Sequence, residues 1–143
     1  MFVKNHWLIV MVVATGICVV SSITRKQMKN TSKIMKKSCM PKNNVTEDQV
    51  GNIEQGEFLE ERKVMCYIKC IYAMGGAIKN DKFVYDAMIK HVNLVFPPEI
   101  KEPTLAAINQ CRDVDKQYAD SCEAAYWVAK CMYEYGPEQF FFP

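Results

Sequence analysis

The chain has few of the residues on which most chemistry depends. It holds two histidines in 143 residues. One of them, His6, lies in an N-terminal stretch read below as a leader, which leaves His91. There is no paired C-x2-C, and one histidine cannot complete a zinc site. No nucleophile–base pair or metal-ligand motif accompanies His91, so no catalytic residue, metal or cofactor is expected. Strand-like alternation, internal repeats and low-complexity linkers are missing as well. Acid is missing from the first 46 residues: Arg25, Lys26, Lys29, Lys33, Lys36, Lys37 and Lys42 all precede Glu47. No aromatic is interleaved with these cations, which argues against nucleic acid. The run reads as a solvated helical face, with weak attraction to anionic membranes as the alternative.

A long apolar run is also lacking. Trp7 to Val20 gives fourteen residues without a charge, short of the roughly 20 that a spanning helix needs. Lys4 and His6 precede it, and Val20-x-Ser22 suits signal peptidase. Residues 1–22 are therefore read as a secretory signal and residues 23–143 as one domain. Cys18 falls inside the leader, so the mature chain keeps six of the seven cysteines: Cys39, Cys66, Cys70, Cys111, Cys122 and Cys131. An even set in a small exported chain implies three disulfides.

What is present is helical. Within the stretch Glu60 to Ile78, residues from Val64 onward are apolar or cysteine on every side apart from Lys69 and the two glycines, which predicts a central helix with Gly75-Gly76 as its stop. Cys66 and Cys70 lie one turn apart on one face, with Cβ atoms roughly 5–6 Å apart, whereas a disulfide needs about 3.8 Å. Each must staple the helix to a different segment. Cys122 and Cys131 are separated by about 13.5 Å along a later helix and cannot pair either. The remaining connectivities stay open.

Around the central helix the pattern predicts five more. The first covers Thr24 to Met40, with a narrow stripe of Met28, Ile34, Met35 and Cys39, and ends near Pro41. The second opens at the capping-box pattern Thr46–Gln49 and runs to about Glu54. The fourth spans Lys82 to Asn93, after a turn at Asn80-Asp81. The fifth starts near Pro103 and buries Ala107, Cys111, Val114 and Tyr118. The sixth runs from Ser121 to about Tyr135. The fold class is all-α: a six-helix, disulfide-stapled bundle enclosing a hydrophobic cavity. Its large, adaptable apolar side chains, methionines above all, suit a pocket for a flexible greasy ligand. Two sequons, at Asn30 and Asn44, are candidates for glycosylation after export.

Between successive mature cysteines lie 26, 3, 40, 10 and 8 residues. This spacing resembles the six-cysteine signature of the insect odorant-binding proteins, the pheromone and general odorant-binding family. MCYIKC, FPPE, CRDVDKQ, SCEAAYWVAKC and EQFFFP look most like its LUSH-type branch. The resemblance implies the interlocked pairs Cys39–Cys70, Cys66–Cys122 and Cys111–Cys131. It implies a non-enzymatic secreted carrier that takes a small hydrophobic molecule through sensillar lymph to membrane receptors. The partners expected are that ligand, an odorant receptor or membrane surface, and at most a weak homodimer.

The ligand-binding candidates are Met65, Ile68, Tyr72, Met74, Met88 and Val92 on the middle helices. Phe96, Ile108, Trp127 and the terminal Phe140, Phe141 and Phe142 complete the set. Trp127 is expected near the ligand, and the three phenylalanines as a plug over the pocket. Hydroxyl positions of the alcohol-binding branch fall on Tyr72 and Ala77, which implies a longer, more apolar ligand than a short alcohol. His91, bordering the buried face of the fourth helix, is a candidate switch for acid-triggered release. The alternatives are a non-olfactory scavenger or transporter of a lipid or hormone on the same fold, and a secreted helical signalling protein. A secreted phospholipase is excluded, because its adjacent His-Asp pair is missing.

Overall fold

A computed structural model describes residues 23–143; the leader assigned to residues 1–22, with Cys18, lies outside the described residues. The order is α1 (Arg25–Asn43), α2 (Glu47–Val50), α3 (Arg62–Met74), a two-stranded hairpin of β1 (Ile78–Lys79) and β2 (Lys82–Phe83), α4 (Tyr85–Val95), α5 (Pro98–Gln110) and α6 (Ser121–Tyr135). The bundle is all-α apart from the hairpin. Among the described residues no helix is long and apolar enough to cross a membrane.

α3 is the axis of the molecule. It packs along α6 on one side and α1 on the other. Val64, Tyr67 and Ile68 on α3, and Ala125, Val128 and Ala129 on α6, are fully enclosed. Three disulfides tie the helices together, with the pairing that the resemblance implied. Cys39–Cys70 joins α1 to α3, Cys66–Cys122 joins α3 to α6, and Cys111–Cys131 joins the end of α5 to α6. Closing loops of these lengths restricts the unfolded chain enough to stabilise the fold by about 3–4 kcal/mol per bridge. At the top of α6, the Asp120 carboxylate accepts from the N–H groups of Cys122 and Glu123 and pairs with the Arg62 guanidinium that opens α3. One side chain thus caps α6 and locks it to α3.

The elements differ from the sequence reading at the prolines, at one turn and in the second helix, which ends at Val50 rather than near Glu54. α1 does not stop at Pro41 but continues to Asn43. Proline there removes only one N–H from the last turn, and Asn44, left-handed at φ 52°, caps the end through its own N–H to Met40 and Pro41 oxygens. α5 starts at Pro98 rather than Pro103. Pro98 sits in the first turn, where a missing N–H costs nothing. Pro103 is carried inside the helix at the loss of one bond. Asn80 and Asp81, both left-handed (φ 50° and 61°), form a tight hairpin turn rather than leading straight into α4. Between α2 and α3, Gly56 has φ 92°, and a Cβ there would run into the Tyr133 ring of α6. The Tyr133 hydroxyl donates to the Gln55 carbonyl at 2.9 Å, which pins this loop to α6.

Candidate ligand cavity

The packing is solid around the first turns of α3 and opens toward its C-terminal end. There α1, the last turn of α3, α4, α5 and the C-terminal tail surround a cavity of about 720 Å³. That is within the range of pockets that enclose a small organic molecule. Met28 and Met35 of α1, Met88 of α4 and Met132 of α6 converge on it from three helices. Their unbranched, polarizable side chains conform to a ligand without needing one fixed shape. Ile34 (66% exposed) and Met74 (45%) line the cavity and also face solvent, so they mark its mouth.

Helical geometry explains how α1 reaches the cavity despite its charge. Met28, Thr31, Ser32 and Met35 fall on one face and line the wall, while Lys26, Lys33 and Lys37 project from the opposite face. Lys29 and Lys36 are held sideways by Glu54 (3.2 Å) and Glu47 (2.6 Å). At the α1 start, the Ile23 N–H donates to the Val95 carbonyl at 3.3 Å, closing α1 against the end of α4.

The tail forms the remaining wall. After α6 the chain turns back at Gly136, and Phe140, Phe141 and Phe142 all face the cavity. Phe140 and Phe142 are buried and stacked on each other at 6.0 Å. Phe140 meets Phe58 and Tyr133; Phe142 meets Tyr67 and Tyr72 edge-on. The Tyr67 hydroxyl donates to the Pro143 carbonyl at 3.2 Å and anchors the end of the tail.

Of the candidates from sequence, Tyr72, Met74, Met88, Val92, Phe96, Ile108 and the three phenylalanines line the cavity. Met65 and Ile68 do not. They lie two turns and one turn before Tyr72, where α3 is packed solidly and Ile68 is wholly enclosed. Trp127 does not line it either. It lies on the outer side of α6, stacked on Tyr118 (5.8 Å, 8° between planes) and covered by the Lys130 ammonium at 4.9 Å. The apolar run Ala124–Ala129 is long enough to wrap the helix, so the run could not say which side faces the ligand. His91 lines the rim of the cavity but is exposed, not at a buried border, and meets Phe96 edge-on at 6.1 Å. A desolvation switch at His91 has no burial to act on here.

The ligand-binding candidates did not include the α1 wall (Met28, Thr31, Ser32 and Met35), Met132, or Ile71, Thr104, Ala107 and Gln139. Ile71 continues the stripe through Ile68, and Thr104 and Ala107 adjoin Ile108 on α5. Gln139 had no signal, because its place follows from the turn of the tail. Among the described residues no cluster of three or more potential metal ligands occurs.

The PBP/GOBP family model matches residues 21–135. The chain belongs to this family of insect odorant-binding proteins. It is similar to general odorant-binding protein 72 of Anopheles gambiae, 25% identical over 85% of this chain and 100% of that protein. It is also similar to general odorant-binding protein 19a of Drosophila melanogaster, 31% identical over 78% of this chain and 79% of the other. Among solved structures, odorant binding protein 4 of the predator Chrysopa pallens superposes with a TM-score of 0.77 at 36% identity, covering 85% of this chain and 99% of that one. Apis mellifera odorant binding protein 5 gives 0.72 at 30% identity, over 86% and 100%. Members of this family are carriers of small hydrophobic molecules.

Proposed function

We propose that this chain is an exported olfactory carrier that encloses one small hydrophobic odorant or pheromone in the cavity and delivers it to a membrane receptor. The observation that supports this most is the cavity itself: about 720 Å³, walled by methionines and phenylalanines from several helices and the tail. A secreted signalling protein acting through its surface has no use for such a space. Catalysis is not part of the proposal, since no nucleophile and base meet at the cavity wall. Export rests on residues 1–22 serving as a cleaved leader. Both sequon asparagines, Asn30 and Asn44, are exposed and open to glycosylation on that route. A scavenger of a lipid or hormone would use the same cavity, and the tissue of expression separates the two roles.

Acid-sensitive release belongs to the same proposal, but the rim limits what His91 contributes. A charge on an exposed ring stays hydrated, so its effect on the ligand is weak. The test of the carrier reading is mass spectrometry of lipophilic molecules that co-purify with the protein from its source tissue, followed by titration with them. Stoichiometric, saturable binding is expected, with affinity in the micromolar range, around −8 kcal/mol. A protein that carries nothing and binds no apolar probe overturns the proposal.

A further inference from the structure

The positive charge of α1 is answered on one side of the helix only. α1 holds no acidic residue of its own. Lys29 and Lys36 are paired with Glu54 and Glu47, which reach over from the segment after α1. Lys26, Lys33 and Lys37 are exposed and have no ion-pair partner among the described residues. Spacings of seven and four residues set these three on a single stripe.

The mouth of the cavity opens at the edge of that stripe. Ile34 stands three residues before Lys37, its neighbour on the helix surface. It is 66% exposed and lines the cavity at the same time. Met74, also largely in water, borders the opening from the end of α3. Single exposed apolar side chains are ordinary, but these two frame one opening beside three unanswered cations. A helix that lies on a bilayer has this composition: apolar side chains enter the headgroup layer while flanking lysines meet the phosphates. The length of a lysine lets its ammonium stay with the phosphates as the helix settles.

We propose that this face of α1 docks on an anionic phospholipid surface, with Ile34 and Met74 entering the headgroup layer, so that the ligand passes from the mouth into the bilayer without crossing water. An acidic protein would answer the lysines alone. A bilayer answers both features, with phosphate for the lysines and a hydrocarbon layer for the apolar rim and the cargo. This rests on the carrier reading above and specifies where the cargo is unloaded.

The experiment uses the oxidised protein secreted by insect cells from the full sequence and loaded with a naphthylamine dye. Stopped-flow fluorescence follows transfer of the dye to vesicles that hold a lipid-linked quencher, made of phosphatidylcholine alone or mixed with phosphatidylserine. If each transfer is a collision, the rate rises with vesicle concentration. Release into water gives a rate indifferent to the amount and the charge of the lipid. A lysine near an anionic surface strengthens contact roughly fivefold, so transfer to the anionic vesicles should be roughly tenfold faster or more. Added salt should erase that advantage. The triple variant Lys26→Gln, Lys33→Gln, Lys37→Gln should lose it too, with dye affinity in solution unchanged. The double variant Lys63→Gln, Lys116→Gln, which removes charge from the start of α3 and the turn before α6, should keep it. A rate indifferent to vesicle concentration and charge, or an advantage that survives the triple variant, overturns the docking and leaves the carrier reading standing. Asn30 lies on the same face, one turn before Ile34, so a glycan found there by mass spectrometry of the native protein also overturns the docking. Failure of the wild type to bind this or any other apolar probe overturns the carrier reading itself.

Discussion

The two ends of α3 are made of the same kinds of residue and do opposite work. Its first turns bury Val64, Met65, Tyr67 and Ile68 against the neighbouring helices and the tail, and the packing there is solid. Its last turn presents Ile71, Tyr72 and Met74, and these face empty space. Methionine, isoleucine and tyrosine occur at both ends. Composition therefore does not separate core from cavity; what the neighbouring elements do at each level decides it. At the solid end, Ala125 and Ala129 of α6 let the two helices approach closely, with the Cys66–Cys122 bridge holding a Cα separation of 4.6 Å. At the hollow end, α1, α4 and α5 splay around the chain where Gly75 and Gly76 end α3, and the tail folds in to close the gap. The bridges hold this splayed end in place and so relieve the interior of filling it.

The contrast is sharpest in stability. Ile68→Ala removes a wholly enclosed side chain from a site with no room to relax, and about 3 kcal/mol should be lost. Met88→Ala removes the same number of heavy atoms, yet one side of Met88 already faces the cavity. Packing partners are missing there from the start, so about 1 kcal/mol is expected. Denaturant melts of the two variants measure the difference. Affinity should respond in the opposite order, with Met88→Ala weakening apolar ligands and Ile68→Ala leaving them nearly unchanged. Equal costs in stability would mean that the hollow end is packed as tightly as the solid one.

The tail tests whether the hollow end has a wall of its own. Phe140 and Phe142 are buried against Phe58, Tyr67, Tyr72 and Tyr133, although they follow the last helix by only a short turn. A chain ending at Gly136 loses both and opens the cavity on that side. Burial of a phenylalanine is worth about 1.5–3 kcal/mol. If even half of one such contribution reaches the ligand, affinity at pH 7 falls by about threefold to tenfold. Full affinity in the truncated chain would show that these rings only cover the outside of the cavity.

Much of this architecture was legible in the sequence, for physical reasons that differ by element. The limits of α6 could be read because Ser121 opens it and Gly136-Pro137 stops it, while the Asp120 cap came to light in the structure. The exclusion of Cys66–Cys70 needed nothing beyond helical rise and the reach of a disulfide. The starts and stops at Pro41 and Pro103 were misread because one proline costs a helix a single bond, and packing on both sides of the chain outweighs it. The side of α6 on which Trp127 lies was illegible, since the run Ala124 to Ala129 is apolar all the way round the helix and so has no direction. Met65 and Ile68 looked like Met88 and Val92 because the pattern that buries a residue is the same whether it meets a neighbour or a void.

His91 gives the smallest effect and the most discriminating one. It stands at the rim, exposed, with the Phe96 edge as its aromatic neighbour and no ion pair among the described residues. A charge placed at this exposed rim stays in contact with water and is not stranded in the interior. From pH 7 to pH 5 the affinity for an apolar ligand should weaken by about twofold in the wild type, the size of an exposed electrostatic term, and His91→Gln should remove the change. The carboxylate that holds α6 to α3 cannot stand in for it. The Arg62 guanidinium and the backbone donors of Glu123 and Cys122 keep Asp120 down to about 2. A carboxylate so lowered gives its stability above the ordinary value of about 3.9 and loses it only as the pH falls through about 2. Nothing is lost from that cap between pH 7 and pH 5. A tenfold or greater loss of affinity in the wild type, erased by His91→Gln, would show that ligand binding draws the rim over His91. The exposed ring would then be buried in the loaded carrier. A loss of that size that survives His91→Gln but disappears in the chain ending at Gly136 would locate the acid response in the tail, where Glu138 precedes the phenylalanines.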